Sequence, residues 1–184
     1  RTILVAAPTR CPHCGAGVKA RLDLPRDEHL QEDWIDGRRV VTCYQHVPGR
    51  CTSWKCRRWV QQAGPGELRR ARLGPHVRAA GLFLQYDIGL STRKVARALA
   101  GLAAFALAPA SLVRFAKEAA RKAKPLADDV AEKLRACEAV HADETYYRIN
   151  GQSAYVWFHG NEDLAHFHVC PTRSGQVSRK LLGE

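Results

Sequence analysis

Glu138-Ala-Val-His-Ala-Asp-Glu-Thr145 is a short apolar run that delivers two adjacent carboxylates, Asp143 and Glu144, ahead of the polar turn Arg148-Ile-Asn-Gly151. Two alternating segments follow, Gln152–His159 and Leu164–Cys170, separated by the turn Gly160-Asn-Glu-Asp163. Period-two alternation punctuated by Gly and Asn predicts three antiparallel strands that open a mixed sheet, with Asp143 where the first strand should end. An acid held there is placed to bind a divalent metal beside a phosphate.

Working outward, His166, His168 and Cys170 alternate with Ala165, Phe167 and Val169. Such a set has metal-ligating chemistry, but the simpler expectation is the wetter side of a sheet. Thr172-Arg-Ser-Gly175 is a turn that offers Arg173 to a phosphate, and Gln176–Leu182 begins a helix. Upstream, Leu126–Ala136 reads as a connecting helix with Asp128 and Asp129 in its first turn, where the helix dipole favours acids. Lys124-Pro125 should end the helix before it, Leu112–Ala123, which starts at Pro109-Ala-Ser111. Ser91 is placed to cap Thr92–Leu102, and Val77–Tyr86 carries apolar residues at helical spacing up to Asp87-Ile-Gly89. The outer faces of the last two basic helices show Arg93, Lys94 and Arg97, then Arg114, Lys117, Arg121 and Lys122. Short helices, a brief connection and a basic second helix match the helix-turn-helix plan, which many three-helix domains share without touching DNA.

Charge favours the nucleic-acid reading. From Gly37 to Pro125 there are 18 lysines and arginines against three acids, a net +15, which leaves −4 for the rest of a chain whose formal charge is +11. A stretch that basic attracts phosphate through counterion release; the alternative is a solvated surface that only keeps the protein soluble. The sequence pI of about 9.7 points the same way.

Residues 1–63 form a cysteine-bearing unit. Seven cysteines without export signals argue for metal thiolates in a reducing compartment rather than a disulfide framework. Cys11-Pro-His-Cys14-Gly is a knuckle, because the glycine lets backbone amides turn toward both sulfurs. The β-like run Arg39–Tyr44 carries Cys43, and His46, Cys51 and Cys56 follow it. A zinc ribbon needs four ligands on two knuckles, and the chosen set is Cys11, Cys14, Cys51 and Cys56, with Cys43 or His46 as substitutes for one of the last pair. His13 should face solvent. Trp54 and Trp59, among Lys55, Arg57 and Arg58, have the chemistry to stack on bases, with both arginines as DNA contacts; so small a unit, however, calls for their bulk in its core. Gly64-Pro-Gly66 marks a boundary, and Glu67–Arg72 reads as a basic linker.

The 184 residues, 46% of them apolar, suffice for one ordinary domain or two small ones, and no apolar run approaches a membrane span. The start at Arg1 and the lack of any Met suggest a trimmed chain or a fragment.

The constellation His141-Ala-Asp-Glu-Thr145, Arg148-Ile-Asn-Gly151, Tyr155-Val-Trp157 and Thr172-Arg-Ser-Gly175 closely resembles the catalytic-domain opening of bacterial transposases of the insertion sequence sixty-six family. Arg72-Leu-Gly-Pro75 and Leu90-Ser-Thr-Arg-Lys-Val95 resemble that family's helical segment, and the Cys11/Cys14 knuckle resembles its zinc-binding region, although the second pair there usually has two intervening residues rather than four. The resemblance implies an α+β chain: a zinc-ribbon-like domain (1–63), a helix-turn-helix-like DNA-binding region (64–125) and the incomplete β-β-β-α start of a ribonuclease-H-like domain (126–184). It further implies three acids, Asp-Asp-Glu, holding two magnesium ions, with Asp143 matching the first. Glu144, turned away by strand alternation, has a supporting role only. Glu162, Asp163 and Glu184 sit in turn or tail positions and are poor substitutes for the other two acids. These residues alone should therefore bind double-stranded transposon ends without cutting them. The whole protein should assemble as a homo-oligomer on DNA, in the bacterial cytoplasm at the nucleoid. Two other readings are a non-catalytic transposition repressor derived from a transposase and a zinc-ribbon RNA-binding module.

Overall fold

A computed structural model describes residues 1–183. Among them are four helices and three small sheets, an α+β composition. The chain forms two compact units, Arg1–Ala116 and the residues from Lys117 onward.

In the first unit, β1 (Thr2–Val5), β3 (Asp27–Ile35) and β4 (Arg38–His46) make a sheet of order β1-β4-β3. The β3–β4 hairpin turns at Asp36-Gly37, both at positive φ, the backbone that a tight two-residue hairpin requires. A second sheet, β2-β5-β6, is antiparallel and built from Val18–Ala20, Gly49–Cys51 and Trp59–Val60.

The segment 64–72 does not hang free as a basic linker. It docks on the first sheet because Glu67 is buried: one carboxylate oxygen bonds His29 Nδ1 at 2.6 Å and His46 Nε2 at 3.0 Å, and the other accepts the Gly64 N–H at 2.7 Å. Burial alone would raise the Glu67 pKa, but the Gly64 amide and the two imidazoles outweigh it and hold it below the usual range.

Three helices follow: α1 (Pro75–Tyr86), α2 (Thr92–Ala103) and α3 (Pro109–Arg135). Leu73, Val77, Val95, Leu99, Phe105, Leu112 and Phe115 form their core. Neither Gly74 before α1 nor Ser91 before α2 makes a side-chain cap. For α1 the cap comes from the sheet. Buried Asp33 on β3 accepts the Val77 N–H at 2.8 Å on one oxygen and bonds His76 Nδ1 at 2.7 Å on the other. A carboxylate at these orphan amides also meets the positive end of the helix dipole.

Pro125 does not end a helix; α3 runs through it as one 27-residue element. A proline interrupts one backbone hydrogen bond, and α3 continues without it. Buried Leu112 and Phe115 precede Pro125 and buried Ala131 and Leu134 follow it, while Lys124 and Asp128 pair at 2.7 Å across it.

In the second unit, β7 (His141–Ile149), β8 (Gln152–Gly160) and β9 (Ala165–Cys170) form an antiparallel sheet in that order, followed by α4 (Gln176–Leu182). Asn150-Gly151, again both at positive φ, makes the β7–β8 turn.

Candidate metal centre and catalytic carboxylate

Cys11 and Cys14 flank the first knuckle, where the Gly15 N–H returns to the Cys11 carbonyl at 2.9 Å and Gly15 has φ +73°. Cys51 closes β5, and Cys56 lies in the turn before β6. In that second knuckle Arg57 takes the place Gly15 has in the first: it follows the cysteine, has φ +45°, and returns its N–H to Ser53 at 3.0 Å. A non-glycine residue there costs about 1 kcal/mol.

The four sulfurs lie within 4.8 Å of one another. Cys11 and Cys56 Sγ are 3.8 Å apart, and Cys14 and Cys51 Sγ 3.5 Å. These separations exclude a disulfide, whose bond is about 2.05 Å. They fit the edges of a tetrahedron with metal–sulfur bonds of about 2.3 Å, which are roughly 3.8 Å long. Burial pushes the Cys51 thiol up to about 12. Burial also raises Cys11, but amides at His13 and Cys14 and the neighbouring thiols outweigh it and bring Cys11 down to about 7. Four crowded sulfurs with such divided proton affinities could hold a metal such as zinc.

Cys43 and His46 lie elsewhere: Cys43 is on β4, and His46 Nε2 is engaged by Glu67. His13 is exposed, with Nδ1 3.4 Å from the Arg58 guanidinium. Trp54 and Trp59 do not fill the core of this unit; they are 74% and 50% exposed. Cys11, Cys51 and Val60, with Ala16 and Val18 against them, leave no need for an indole.

Asp143 lies on β7, an edge strand, with its side chain exposed and Oδ1 accepting the Glu144 N–H at 2.9 Å. Pairing places Asp143 opposite Phe158 and Glu144 opposite Trp157, so the two carboxylates leave opposite faces of the sheet. Glu144 accepts a hydrogen bond from Arg173 Nε at 2.5 Å. Among the described residues the cysteine set is the one group of three or more metal-ligating side chains that converges. Glu162 and Asp163 are exposed in the β8–β9 turn, and Glu184 lies outside the described residues.

The histidine face of this sheet is its drier side. His159 is fully buried and bonds Ser178 Oγ at 2.9 Å through Nε2, beside buried Trp157, while Phe167 and Val169 on the opposite face are 64% and 55% exposed. Burial and the nearby His168 and His166 lower the His159 pKa; burial and His166 lower that of His168.

The basic positions are all on the surface. Arg57 and Arg58 flank the metal knuckle; Arg93, Lys94 and Arg97 line the side of α2 away from Val95 and Leu99; Arg114, Lys117 and Arg121 stand along α3. No helix among the described residues is long and apolar enough to cross a membrane.

The IS66 family of transposases matches residues 70–184, more than half of the chain. The chain belongs to that family, one of DDE transposases, which implies a transposase-related function on DNA and a divalent metal. No curated protein is significantly similar to it.

Proposed function

We propose that this chain belongs to a DDE-type transposase that binds double-stranded transposon ends and cuts and joins DNA strands. The observation that carries this reading is Asp143, held on a strand at the rim of the sheet with its carboxylate open to solvent, inside the family-matched segment. Asp143 is the first of the three acids, and Glu144, tied to Arg173, supports the strand from the other side. In the complete domain, of ribonuclease-H-like fold, two magnesium ions would activate the attacking water or 3′-hydroxyl and stabilise the leaving oxygen.

Residues 1–63 hold a structural zinc through Cys11, Cys14, Cys51 and Cys56. The region 64–125 carries a helix-turn-helix-like contact to DNA, and 126–184 open the catalytic domain. Arg57, Arg58, Arg93, Lys94, Arg97, Arg114, Lys117 and Arg121 contact phosphates. The protein acts as a homo-oligomer on DNA at the bacterial nucleoid. A second reading, a non-catalytic zinc-containing DNA-binding protein or transposition repressor, is favoured by one observation: the cysteines, not carboxylates, make the converging metal set among the described residues.

The deciding experiment is Asp143→Asn in a cleavage-competent transposase that contains this sequence. Strand cleavage should vanish while end binding persists; retained cleavage would remove Asp143 from the active site. If the chain with Asp143 intact binds ends but never supports cleavage in that setting, the repressor reading replaces the enzymatic one.

A further inference from the structure

Beside the metal knuckles lies a cleft of about 550 Å3, walled by Leu24, Pro25 and Pro48 on one part and by Trp59, Arg69 and Arg70 on another. Its volume is within the range of small-ligand sites. Three observations say what it takes. Trp59 is half exposed and unneeded by the cysteine core, and the Arg50 guanidinium, which does not line the cleft, sits 4.8 Å from its ring centroid. The indole is thus held by a cation from outside while it borders the cleft. Arg69 is braced, donating to the Gln61 carbonyl at 3.3 Å and to Gln61 Oε1 at 2.6 Å. Arg70 has no ion pair or hydrogen bond among the described residues and is held at φ +61°, a strained backbone for an arginine.

An aromatic face, apolar walls and two guanidiniums match a flat heterocycle joined to a phosphate. A closed duplex offers phosphates but keeps its bases stacked, so it would leave the apolar walls unused. We propose that this cleft binds one unpaired nucleotide of a DNA strand, its base against Trp59 and its phosphate at Arg69 and Arg70. The proposal rests on the DNA-binding reading above and adds to it a preference for DNA with a frayed or single-stranded end.

The test uses the full chain and one duplex sequence in two forms, blunt and with a short unpaired 3′ overhang, with affinities measured at fixed salt. The wild type should favour the overhang by about tenfold, as one base–aromatic stack provides. Trp59→Ala should bring the ratio close to one, Trp59→Phe should keep most of it, and Arg70→Gly should reduce it. Because glycine suits the positive φ at position 70, a loss in that variant does not reflect a damaged fold. Equal wild-type affinities, or a ratio unmoved by Trp59→Ala and Arg70→Gly, would overturn the proposal. So would dAMP competing as well as a single-stranded oligonucleotide, which would make the ligand a free nucleotide. Absence of blunt-duplex binding with the overhang still bound would instead defeat the duplex-binding reading and leave the cleft standing.

Discussion

Asp33 shows how much one buried side chain can carry. It satisfies the start of α1 from a neighbouring strand, and the surrounding backbone is shaped to admit it: a Cβ on Gly74 would lie 2.4 Å from the Asp33 Cγ. Asp33→Ala should therefore cost about 2–3 kcal/mol in urea unfolding followed by helical signal, because several bonds to a charged acceptor vanish together. A loss below about 0.5 kcal/mol would place it among ordinary surface changes. Nothing in the local sequence announces this cap. Asp33 and Val77 are 44 positions apart, and the local pattern, Gly74-Pro75, says only that a helix begins. Glu67 is a similar case, since its imidazole partners lie 38 and 21 positions away and a charged residue within Glu67–Arg72 looks solvated. The cysteines are more legible, because knuckle spacing is itself a geometric constraint. The choice between Cys51, Cys56, Cys43 and His46 requires the register of β4 and β5, which spacing does not contain.

At the scale of elements, alternation and turn residues locate β8 and β9 to within a residue, and helical spacing locates α1 and α2; β7, however, runs on to Ile149, so Asp143 lies near its start and not at its end. Asp36-Gly37 carries the same hairpin signal as Asn150-Gly151 but has no clean alternation before it, so β3 is not legible. Pro125 misleads because a proline removes a single backbone hydrogen bond, and α3 continues through it although residues 120–129 are all exposed. The covered face of β9 is the opposite of the one that alternation suggests. Period two separates His166 and His168 from Phe167 and Val169, but only pairing with Trp157 and His159 reveals which set is covered.

That burial has a pH consequence. His159 and His168 bind protons less readily when folded than the ordinary imidazole does at about 6.5. The unfolded chain therefore takes up more protons on acidification, so the sheet is most stable above about pH 6.5 and weakens as the pH falls through that value. Hydrogen exchange of β8 and β9 amides, corrected for intrinsic rate, should show protection falling between about pH 7 and pH 5.5. Constant protection would mean that both imidazoles titrate normally. A separate expectation belongs to the cysteine sheet, β2-β5-β6. Its strands have three residues or fewer, too short to stand without the knuckles. A strong chelator should release about one zinc per chain and unfold this element; purified protein that is metal-free and equally folded would dismiss the zinc.

For the whole molecule the informative quantity is how charge is distributed. The stretch from Gly37 to Pro125 holds a net +15 within a chain of +11, and its cations are exposed on α2 and on α3. Replacing Lys94, Arg97, Lys117 and Arg121 together with Ala should weaken duplex binding and flatten the plot of log affinity against log salt by roughly 3 to 4 units, about 0.9 for each phosphate that is no longer neutralised. An unchanged slope would assign the phosphates to other arginines. Family membership, too, is readable at this scale, because the segments around Asp143 keep their order and spacing along the chain. The cleft at Trp59 is not, since it needs Leu24, Pro48 and Arg70 brought together from three separate stretches.

Among the described residues, one flank of β7 has no neighbouring strand, and its nine residues are almost all open to water. Its outward amides and carbonyls form a ladder without its other half, and Tyr147 and Ile149 add an oily side beside it. A concentrated preparation thus carries its own seed for stacking molecule on molecule. Asp143, the carboxylate proposed for catalysis, sits on this open strand.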